Sequence, residues 1–490
     1  MLILPATTTP WYAITATLAG YLLTLILIRW VLLTKKEQSA STVAWIMAII
    51  LIPLLGGALF ILFGINRVDR RARLKGAKDR AIRRQLPNIS RYQVLPSEIE
   101  SPLTRNIARL ADTIGPNCLT DGNDIRVMND THETLGLTEQ AIESAGQTIH
   151  LAYYIWRRDK TGTRLRDLII RKAREGVKVR FLYDGIGSLF LNERFIRPMR
   201  EAGIDVASSL PGTTIRERWS LNLRNHRKIV VVDGKIGFTG GMNIGDEYLG
   251  RSHNCGYWRD THLRVEGPTV LQLQQTFAED WFYATNEPLT DLALYPDSDD
   301  PGKTNAQVIA SGPTGDKNLS RLVFFEAIAQ ARRSIQLTTG YFVPPPEFIQ
   351  ALVAAALRGV RVRILVPGRP SYSWKIDYLA PVYAGRSYYE NLLEAGVEIY
   401  EYQRGVMHAK TMTVDGTWSL VGGANFDARS LMLNFEVGLA ISGPRIAQQL
   451  EEHFATDLED SLRIDPEHWS NRPTRRILAE NACRMFAPVL

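Results

Sequence analysis

One motif occurs twice in this chain with the same internal spacing. Both copies read H-x-K-x4-D-x6-G-G-x-N, and their histidine, lysine, aspartate and asparagine are His226, Lys228, Asp233 and Asn243, then His408, Lys410, Asp415 and Asn425. One match to such a pattern would be weak evidence, but chance does not readily produce a second match with identical spacing. The repetition predicts a fold of two similar halves whose histidines act together at one site.

Each copy is predicted to lie on a β-hairpin. Residues 229–232 and 411–414 are rich in β-branched side chains and end in Asp-Gly, which is typical of a strand followed by a tight turn. Side chains alternate along a strand, so each histidine shares a face with the lysine two residues later. Asp233 and Asp415 are expected at the corner between strand and turn, partly for structural reasons. The alternative is an ordinary hairpin with core histidines, and two complete motifs argue against it.

The motif residues suit chemistry on a phosphodiester. A neutral imidazole can attack phosphorus and form a covalent intermediate, which divides one difficult displacement into two easier ones. A second, protonated imidazole can donate to the departing oxygen and later accept a proton from the acceptor. Lys228 and Lys410 would supply positive charge to the non-bridging oxygens, with Asn243 and Asn425 as further hydrogen-bond donors. On this interpretation no metal or other cofactor is needed, because the lysines supply the charge.

The duplication extends to the elements around the motifs. Residues 141–150 parallel residues 327–336, and residues 168–182 parallel residues 352–365. In the second pair a helical pattern ends at a glycine and a strand follows directly. Strands that alternate with helices predict an α/β fold in which helices cover a mixed sheet.

Two apolar stretches near the amino terminus are long enough to cross a bilayer. Residues 11–33 contain one charged side chain, Arg29, near their end, and residues 43–63 contain none. A helix needs about 20 apolar residues to span the hydrocarbon core, so both stretches predict transmembrane helices. A cleaved signal peptide is the alternative for the first stretch, but it lacks a basic leader and a second span follows it.

Basic residues are concentrated after the second apolar stretch. Nine arginines and lysines lie between positions 67 and 84. By the positive-inside rule the catalytic part is expected to face the cytoplasm. The cluster would also attract anionic lipid headgroups, in keeping with a net charge of +7. Three scattered cysteines favour a reducing compartment and argue against a disulfide framework or a zinc site.

The predicted organisation follows from these patterns. It consists of a membrane anchor over 1–66, a basic juxtamembrane segment and linker over 67–120, a first catalytic half over 121–284, a linker over 285–305 and a second catalytic half over 306–490. The second linker is placed by its proline, glycine and aspartate residues.

The doubled motif resembles that of the phospholipase D superfamily, whose two H-K-D motifs meet at one site. In that superfamily an acidic residue pairs with each motif histidine, and such a partner fixes the tautomer of the imidazole. The resemblance carries this role to Asp260, in Tyr-Trp-Arg-Asp, and to Glu436, in Leu-Asn-Phe-Glu. A surface carboxylate is the alternative for either residue.

Over nearly the whole chain the sequence is similar to the bacterial cardiolipin synthases of the phospholipase D type. The similar segments include the Pro-Leu-Leu-Gly-Gly run of the second apolar stretch and residues 240–248, 341–345 and 424–436. One departure is Gly423, where the second motif of that family more often has serine. The similarity implies a multi-pass protein of the bacterial inner membrane that acts on anionic membrane lipids.

The same resemblance implies a transphosphatidylation. One phosphatidylglycerol would give its phosphatidyl group to a histidine and release glycerol, and a second phosphatidylglycerol would then attack to give cardiolipin. By analogy His226 is assigned as the nucleophile and His408 as the acid and base, although the sequence is nearly symmetric here. The acceptor could instead be another lipid, such as phosphatidylethanolamine, and the oligomeric state leaves no signature in the sequence.

Two other functions would use the same residues. A hydrolytic phospholipase D would employ water as the acceptor and make phosphatidate. A nuclease of the superfamily, or a nucleic-acid-binding protein without activity, would exploit the positive charge. The two apolar stretches and the lack of a recognisable nucleic-acid module argue against this second alternative, so no nucleic-acid partner is expected.

Overall fold

The computed structural model describes residues 11–34, 39–61, 68–210, 223–251, 256–314, 318–368 and 376–485. The chain divides into two compact units, Met1–Arg71 and Ala72–Leu490. Both copies of the motif belong to the larger unit.

The described part of the smaller unit is helical, with α1 at Trp11–Thr34, α2 at Ser39–Leu51 and α3 at Pro53–Leu59. The second predicted helix, 43–63, is divided in two, and residues 62 and 63 lie outside the described ranges. The division arises because Ile52 has a non-helical backbone (φ −136°, ψ 73°) and proline has no amide hydrogen to continue the helix. Within the described ranges, no helix combines the length and the apolar character needed to cross a membrane.

The first half of the larger unit is preceded by two helices, and the unit boundary falls within the first of them. In chain order the elements are α4 Val68–Arg83, α5 Pro102–Ile114, β1 Thr120–Met128, α6 Thr131–Glu143, β2 Thr148–Tyr153, α7 Lys160–Arg174, β3 Lys178–Tyr183, α8 Glu193–Glu201, β4 Asp205–Ser208, β5 Ile229–Val232, β6 Ile236–Gly240, β7 Tyr257–Arg259, β8 His262–Glu266 and α9 Pro268–Thr285.

The second half repeats much of this order. Its elements are β9 Thr304–Ser311, α10 Leu319–Gln330, β10 Ser334–Thr338, β11 Phe342–Val343, α11 Pro346–Leu357, β12 Arg361–Pro367, α12 Ile376–Arg386, α13 Tyr389–Glu394, β13 Glu398–Tyr402, β14 Gly405–Met407, β15 Thr411–Val414, β16 Trp418–Gly422, β17 Phe426–Asp427, α14 Ala428–Met432, β18 Glu436–Ser442, α15 Pro444–Glu459, β19 Ser461–Arg463, α16 Pro466–Ser470 and α17 Thr474–Arg484.

Within the described residues, one mixed sheet of 15 strands runs through both halves. Its order is β4-β3-β2-β5-β6-β8-β1-β9-β18-β16-β15-β10-β12-β13-β19. The halves meet where β1 pairs antiparallel with β9, and the order of strands on one side of this junction repeats on the other. The predicted α/β fold of two similar halves with mixed pairing is confirmed. The structure adds that the halves share one continuous sheet.

Glycines end the helices that lead into parallel strands. Gly176 follows α7 with φ of 97°, and Gly359 follows α11 with φ of 87°. This left-handed conformation is easily adopted only by glycine, which is why the helical pattern stops there. The predicted helix, glycine and strand are therefore confirmed in both halves.

Helix α9 lies in the centre of the larger unit. Every residue from Pro268 to Trp281 is buried, and the apolar side chains share a core with strands of both halves. Several of its polar residues form hydrogen bonds within the protein; Gln272, for example, accepts one from the amide of Val308 in β9 at 2.8 Å. A helix buried on all sides has no amphipathic pattern, and for this reason α9 was not predicted.

Candidate active site

The two motifs form hairpins at equivalent positions of the sheet. Strand β5 pairs with β6, and β15 pairs with β16, both in antiparallel register. Asp233 and Gly234 have φ of 50° and 67°, and Asp415 and Gly416 have φ of 55° and 66°, as a two-residue Asp-Gly turn requires. The predicted strand, turn and returning strand are confirmed in both motifs.

Asp233 and Asp415 hold the main chain and lie away from the histidines. The Asp233 carboxylate accepts hydrogen bonds from the amides of Gly146, Gln147 and Thr148 at 2.7–2.8 Å. Asp415 accepts the equivalent bonds from the turn before β10. A four-residue strand, about 13 Å long at roughly 3.3 Å per residue, separates each aspartate from its motif lysine. Their predicted corner position is confirmed. The structure shows them binding main-chain amides, and their place in the predicted catalytic set stays a prediction.

Each motif histidine pairs with an acid from the other half. His226 Nδ1 shares a hydrogen bond of 2.9 Å with Glu436 Oε2, and His408 Nδ1 shares one of 2.6 Å with Asp260 Oδ2. Main-chain hydrogen bonds of the histidines also run between the halves. The His226 amide donates to the carbonyl of Phe435, and the His408 amide donates to the carbonyl of the residue before Asp260. An acid on Nδ1 leaves Nε2 of each imidazole for the substrate.

The lysines and two aromatic rings surround the histidines. Lys228 Nζ donates to the His226 carbonyl at 2.8 Å, and Lys410 donates to the His408 carbonyl. Both lysines are buried. The Tyr154 ring lies 4.7 Å from the His226 ring and 5.5 Å from Lys228 Nζ, measured from its centroid.

Trp258, a residue of the first half, plays a comparable part beside the second motif histidine, because its ring centroid lies 5.2 Å from that of His408. Neither Tyr154 nor Trp258 was predicted to belong to the site. Tyr154 directly follows strand β2, and Trp258 lies two residues before Asp260. These positions are the signals in the sequence that could have identified them.

The motif asparagines lie three residues after the ends of the returning strands. Asn243 Oδ1 accepts a hydrogen bond from the amide of Ile155 at 3.1 Å, next to Tyr154. Asn425 is buried beside Gly340, whose ideal Cβ position lies 3.1 Å from Asn425 Oδ1 and 3.4 Å from the Cα of His408. The two motif lysines, the two motif asparagines and the acids Asp260 and Glu436 therefore lie near the motif histidines.

Burial dominates the protonation of the basic groups. It lowers the pKa of His226 well below its usual value, with Lys228 and Lys410 adding to the effect, and lowers the pKa of His408 to about 4. Burial also lowers the pKa of Lys228 to about 7 and that of Lys410 to about 8. Both imidazoles are therefore neutral at pH 7 before substrate enters, and the lysines are close to losing their protons.

The two orienting acids differ in charge. Burial raises the pKa of Glu436 to about 7. Burial acts in the same direction on Asp260, but Lys410 and His408 outweigh it and lower the pKa of Asp260 to about 2. Asp260 therefore stays ionised and can stabilise an imidazolium at His408, whereas the partner of His226 is a weaker source of negative charge.

The lysine pKa values predict how anion binding depends on pH. The affinity of the site for a dialkyl phosphate, which is a monoanion across this range, is expected to fall above pH 7 as Lys228 loses its proton. If one lysine must be charged, the fall is about tenfold per pH unit. Calorimetric titration between pH 6 and 9 measures it. The Lys228→Met variant should bind the phosphate weakly, and its affinity should depend less on pH. A wild-type affinity that does not change between pH 7 and 9 would contradict the prediction.

A buried charge cluster lies behind the first motif and was not predicted. Asp280 of α9 accepts from Asn225 Nδ2 at 2.9 Å and Arg227 Nη1 at 2.8 Å, the residues on either side of the first motif histidine. Arg227 also donates through Nε to the carbonyl of Glu436 at 3.2 Å. Lys75 of α4 completes the cluster, with Nζ 2.8 Å from Asp280 Oδ1.

Lys75 was predicted to belong to a basic cluster that attracts lipid headgroups. This prediction is wrong for Lys75, because its side chain is buried. It is 1% exposed and bonds both oxygens of Asp79 at 3.0 Å, in addition to its ion pair with Asp280. Arg83, from the same cluster, pairs with buried Glu279. Acidic residues of α9 attract these side chains into the protein. Arg67 of the predicted cluster lies outside the described ranges.

The buried position of Lys75 predicts a large effect on stability. Lys75→Met is expected to lower the free energy of unfolding by about 3–5 kcal/mol, because it removes the shared cation of two buried carboxylates. Lys78→Met on the same helix removes a hydrogen bond to Asn286 and is expected to cost less than about 1 kcal/mol. Urea unfolding of the detergent-solubilised proteins, followed by tryptophan fluorescence, gives both values. Equal losses in the two variants would contradict the burial argument.

Two family models match the chain. The model described as "Cardiolipin synthase, PLD-like domain" matches residues 138–281 and again residues 324–458. The model described as "Phospholipase_D-nuclease N-terminal" matches residues 22–64. The double match coincides with the two halves of the sheet and covers both motifs.

Similar proteins match over nearly their full length. A cardiolipin synthase of Alkalihalophilus pseudofirmus is 38% identical over 476 residues, covering 96% of this chain and 93% of that protein. One from Geobacillus kaustophilus is 38% identical over 477 residues, covering 95% and 92%. Among solved structures, the phosphatidylserine synthase of Haemophilus influenzae aligns with a TM-score of 0.59 over 75% of this chain and 95% of that one. At 17% sequence identity, this last match supports the fold alone.

Proposed function

The chain belongs to the cardiolipin synthase family of phospholipase D-like proteins, and we propose that it joins two phosphatidylglycerol molecules into cardiolipin and glycerol. The observation that carries the proposal is the pair of buried histidines, each held at Nδ1 by an acid of the other half and flanked by a lysine. This arrangement suits transfer of a phosphoryl group by way of one imidazole, with proton transfer by the other.

In the first step Nε2 of His226 attacks the phosphorus of one phosphatidylglycerol. The phosphorus–nitrogen bond forms as the bond from phosphorus to the glycerol oxygen breaks, and His408 donates a proton from Nε2 to that oxygen. Lys228 and Lys410 neutralise the non-bridging oxygens, which carry the negative charge of the transition state. The products of this step are free glycerol and a phosphatidyl-histidine.

In the second step a hydroxyl of another phosphatidylglycerol gives its proton to His408 Nε2. Its oxygen bonds to phosphorus while the bond from phosphorus to His226 Nε2 breaks, which releases cardiolipin and restores the enzyme. One diester replaces another, so no energy-rich cofactor enters the reaction.

The charges of the acids favour this assignment of roles. The nucleophile has to be neutral, and the lowered pKa of His226 keeps it so. The acid has to hold a proton, and ionised Asp260 beside His408 supports an imidazolium once the anionic phosphate adds further negative charge. The nearly symmetric sequence offered no such distinction.

We also propose that the amino-terminal unit anchors the enzyme in the bacterial inner membrane, with the catalytic halves in the cytoplasm. In support, α1 and α2 expose large apolar side chains, among them Leu22, Leu25 and Leu51, each more than 60% exposed. Anionic lipids would then be both substrates and surroundings. Resistance of the full chain to extraction from membranes at alkaline pH, with protease access only in inverted vesicles, is the expected result. Release by alkali would refute the anchor.

Product analysis tests the proposed reaction. The purified full chain in detergent micelles, given phosphatidylglycerol alone, should form cardiolipin and free glycerol in equal amounts. Phosphatidate as the main product would instead indicate a hydrolytic phospholipase D with water as acceptor. Adding phosphatidylethanolamine in excess shows whether a second lipid class competes as the acceptor. Cleavage of oligonucleotides without lipid turnover would replace the proposal with a nuclease.

A further inference from the structure

The two halves differ at one pair of equivalent positions beside the histidines. Ile149 of β2 pairs with Val232, and Ile335 of β10 pairs with Val414, which occupy the same place in the two motifs. Counting five residues onward from these isoleucines leads to Tyr154 in the first half and Gly340 in the second. A tyrosine therefore borders His226 where a glycine borders His408.

In the first half this position is filled. The Tyr154 ring packs at 4.7 Å from the His226 ring, and the next residue, Ile155, donates its amide to Asn243 Oδ1 at 3.1 Å. The side-chain oxygen of this motif asparagine therefore already has its hydrogen-bond donor.

In the second half the oxygen of the equivalent asparagine has no hydrogen-bond donor within the described part of the chain. Gly340 has no side chain, and its ideal Cβ position is 3.1 Å from Asn425 Oδ1 and 3.5 Å from Cδ2 of His408. Asn425 is 5% exposed, and no residue within the described ranges donates a hydrogen bond to its Oδ1. A buried acceptor without a donor costs about 1–3 kcal/mol, so a donor from a ligand would be a favourable partner.

The chemistry of the histidine limits what such a ligand can be. Asp260 occupies Nδ1 of His408, so the reacting nitrogen is Nε2, which is bonded to the Cδ2 that faces Gly340. A group above Gly340 thus meets a proton acceptor on His408 and a second acceptor on Asn425. One hydroxyl carries a single proton and cannot satisfy both, whereas hydroxyls on adjacent carbons can.

We propose that His408, Gly340 and Asn425 form a subsite for a 1,2-diol, the free end of a glycerol headgroup. The terminal hydroxyl gives its proton to His408 Nε2 and its oxygen bonds to phosphorus, as the bond from phosphorus to His226 breaks. The neighbouring hydroxyl keeps its proton and donates it to Asn425 Oδ1. In the first step of the reaction the same subsite holds the glycerol that leaves the first lipid. This subsite rests on the proposed function and specifies how the substrate headgroup is recognised.

The first test compares headgroups with the wild-type chain. Phosphatidylglycerol should be turned over with a kcat/KM at least about tenfold above that of phosphatidyl-1,3-propanediol, which keeps the terminal hydroxyl but has none on the adjacent carbon. Equal values for the two lipids would overturn the subsite while leaving phosphatidyl transfer intact. Failure to transfer any phosphatidyl group would overturn the proposed function and the subsite together.

The second test uses the matched asparagines. Asn425→Leu should bring the ratio of kcat/KM for the two lipids close to one, because it removes the acceptor for the second hydroxyl. Asn243→Leu is the control, and it should keep the wild-type ratio even where overall activity falls, since Asn243 Oδ1 is already bonded to the main chain. Loss of the preference in both variants, or in neither, would overturn the assignment.

A third variant tests the space above Gly340. Gly340→Ala places a methyl group 3.1 Å from Asn425 Oδ1, and its backbone conformation is one that alanine can adopt. The same ratio is expected to fall in this variant although both polar groups remain. An unchanged ratio would show that the headgroup lies elsewhere.

Discussion

Replacing His226 with alanine is expected to reduce phosphatidyl transfer by at least about 10⁴-fold, because the covalent route is lost with the nucleophile. Replacing His408 with alanine should cost about 10²–10⁴-fold, which is the usual contribution of a general acid and base. Rates of cardiolipin formation from phosphatidylglycerol measure both losses.

A substrate with a good leaving group separates the two roles. A phosphatidyl nitrophenyl ester releases nitrophenolate without needing a proton, so His408→Ala should still give a burst of nitrophenolate and a trapped phosphatidyl-histidine at position 226. His226→Ala should give neither. The opposite pattern, with the burst retained in His226→Ala, would exchange the roles of the two histidines.

The second large effect follows from the acids that cross between the halves. Asp260→Asn and Glu436→Gln each keep the size of the side chain but remove its negative charge and disturb the tautomer of the imidazole. Both are expected to lower cardiolipin formation by about 10²–10⁴-fold, the range of a general acid–base contribution. The two variants are expected to differ in how their loss of activity depends on the leaving group of the substrate.

The crossed geometry predicts which variant the nitrophenyl ester rescues. Asp260→Asn weakens His408, so its burst of nitrophenolate should survive. Glu436→Gln weakens His226, so its burst should be lost. Pairing within each half would give the reverse result, which makes the experiment a direct test of the 2.9 Å and 2.6 Å hydrogen bonds seen in the structure. Circular dichroism of both variants controls for unfolding.

Features decided by neighbouring residues could be predicted from the sequence. The Asp-Gly turns after β5 and β15 and the glycines that end α7 and α11 depend on the backbone preferences of one or two residues. The motif histidines and lysines followed from their repeated spacing. Asp260 and Glu436 came from a family resemblance, which supplied a role but not the partner of each acid.

Features decided by distant residues could not be predicted. Glu436 lies 210 positions after His226, so this pair forms only when the two halves fold together. Lys75 illustrates the same limit. Its neighbours in sequence are basic and suggested a lipid surface, but its position is set by Asp280, which is more than 200 residues away.

The exchange of acids bears on how such a chain could arise. A half expressed alone would hold a histidine without its acid and an acid without its histidine. Two identical copies related by a twofold axis would complete both pairs, so an ancestor of half this length would have been an obligate dimer. Fusion of two copies then lets each partner change separately. The two halves of this chain do differ in this way, because one histidine pairs with an aspartate and the other with a glutamate.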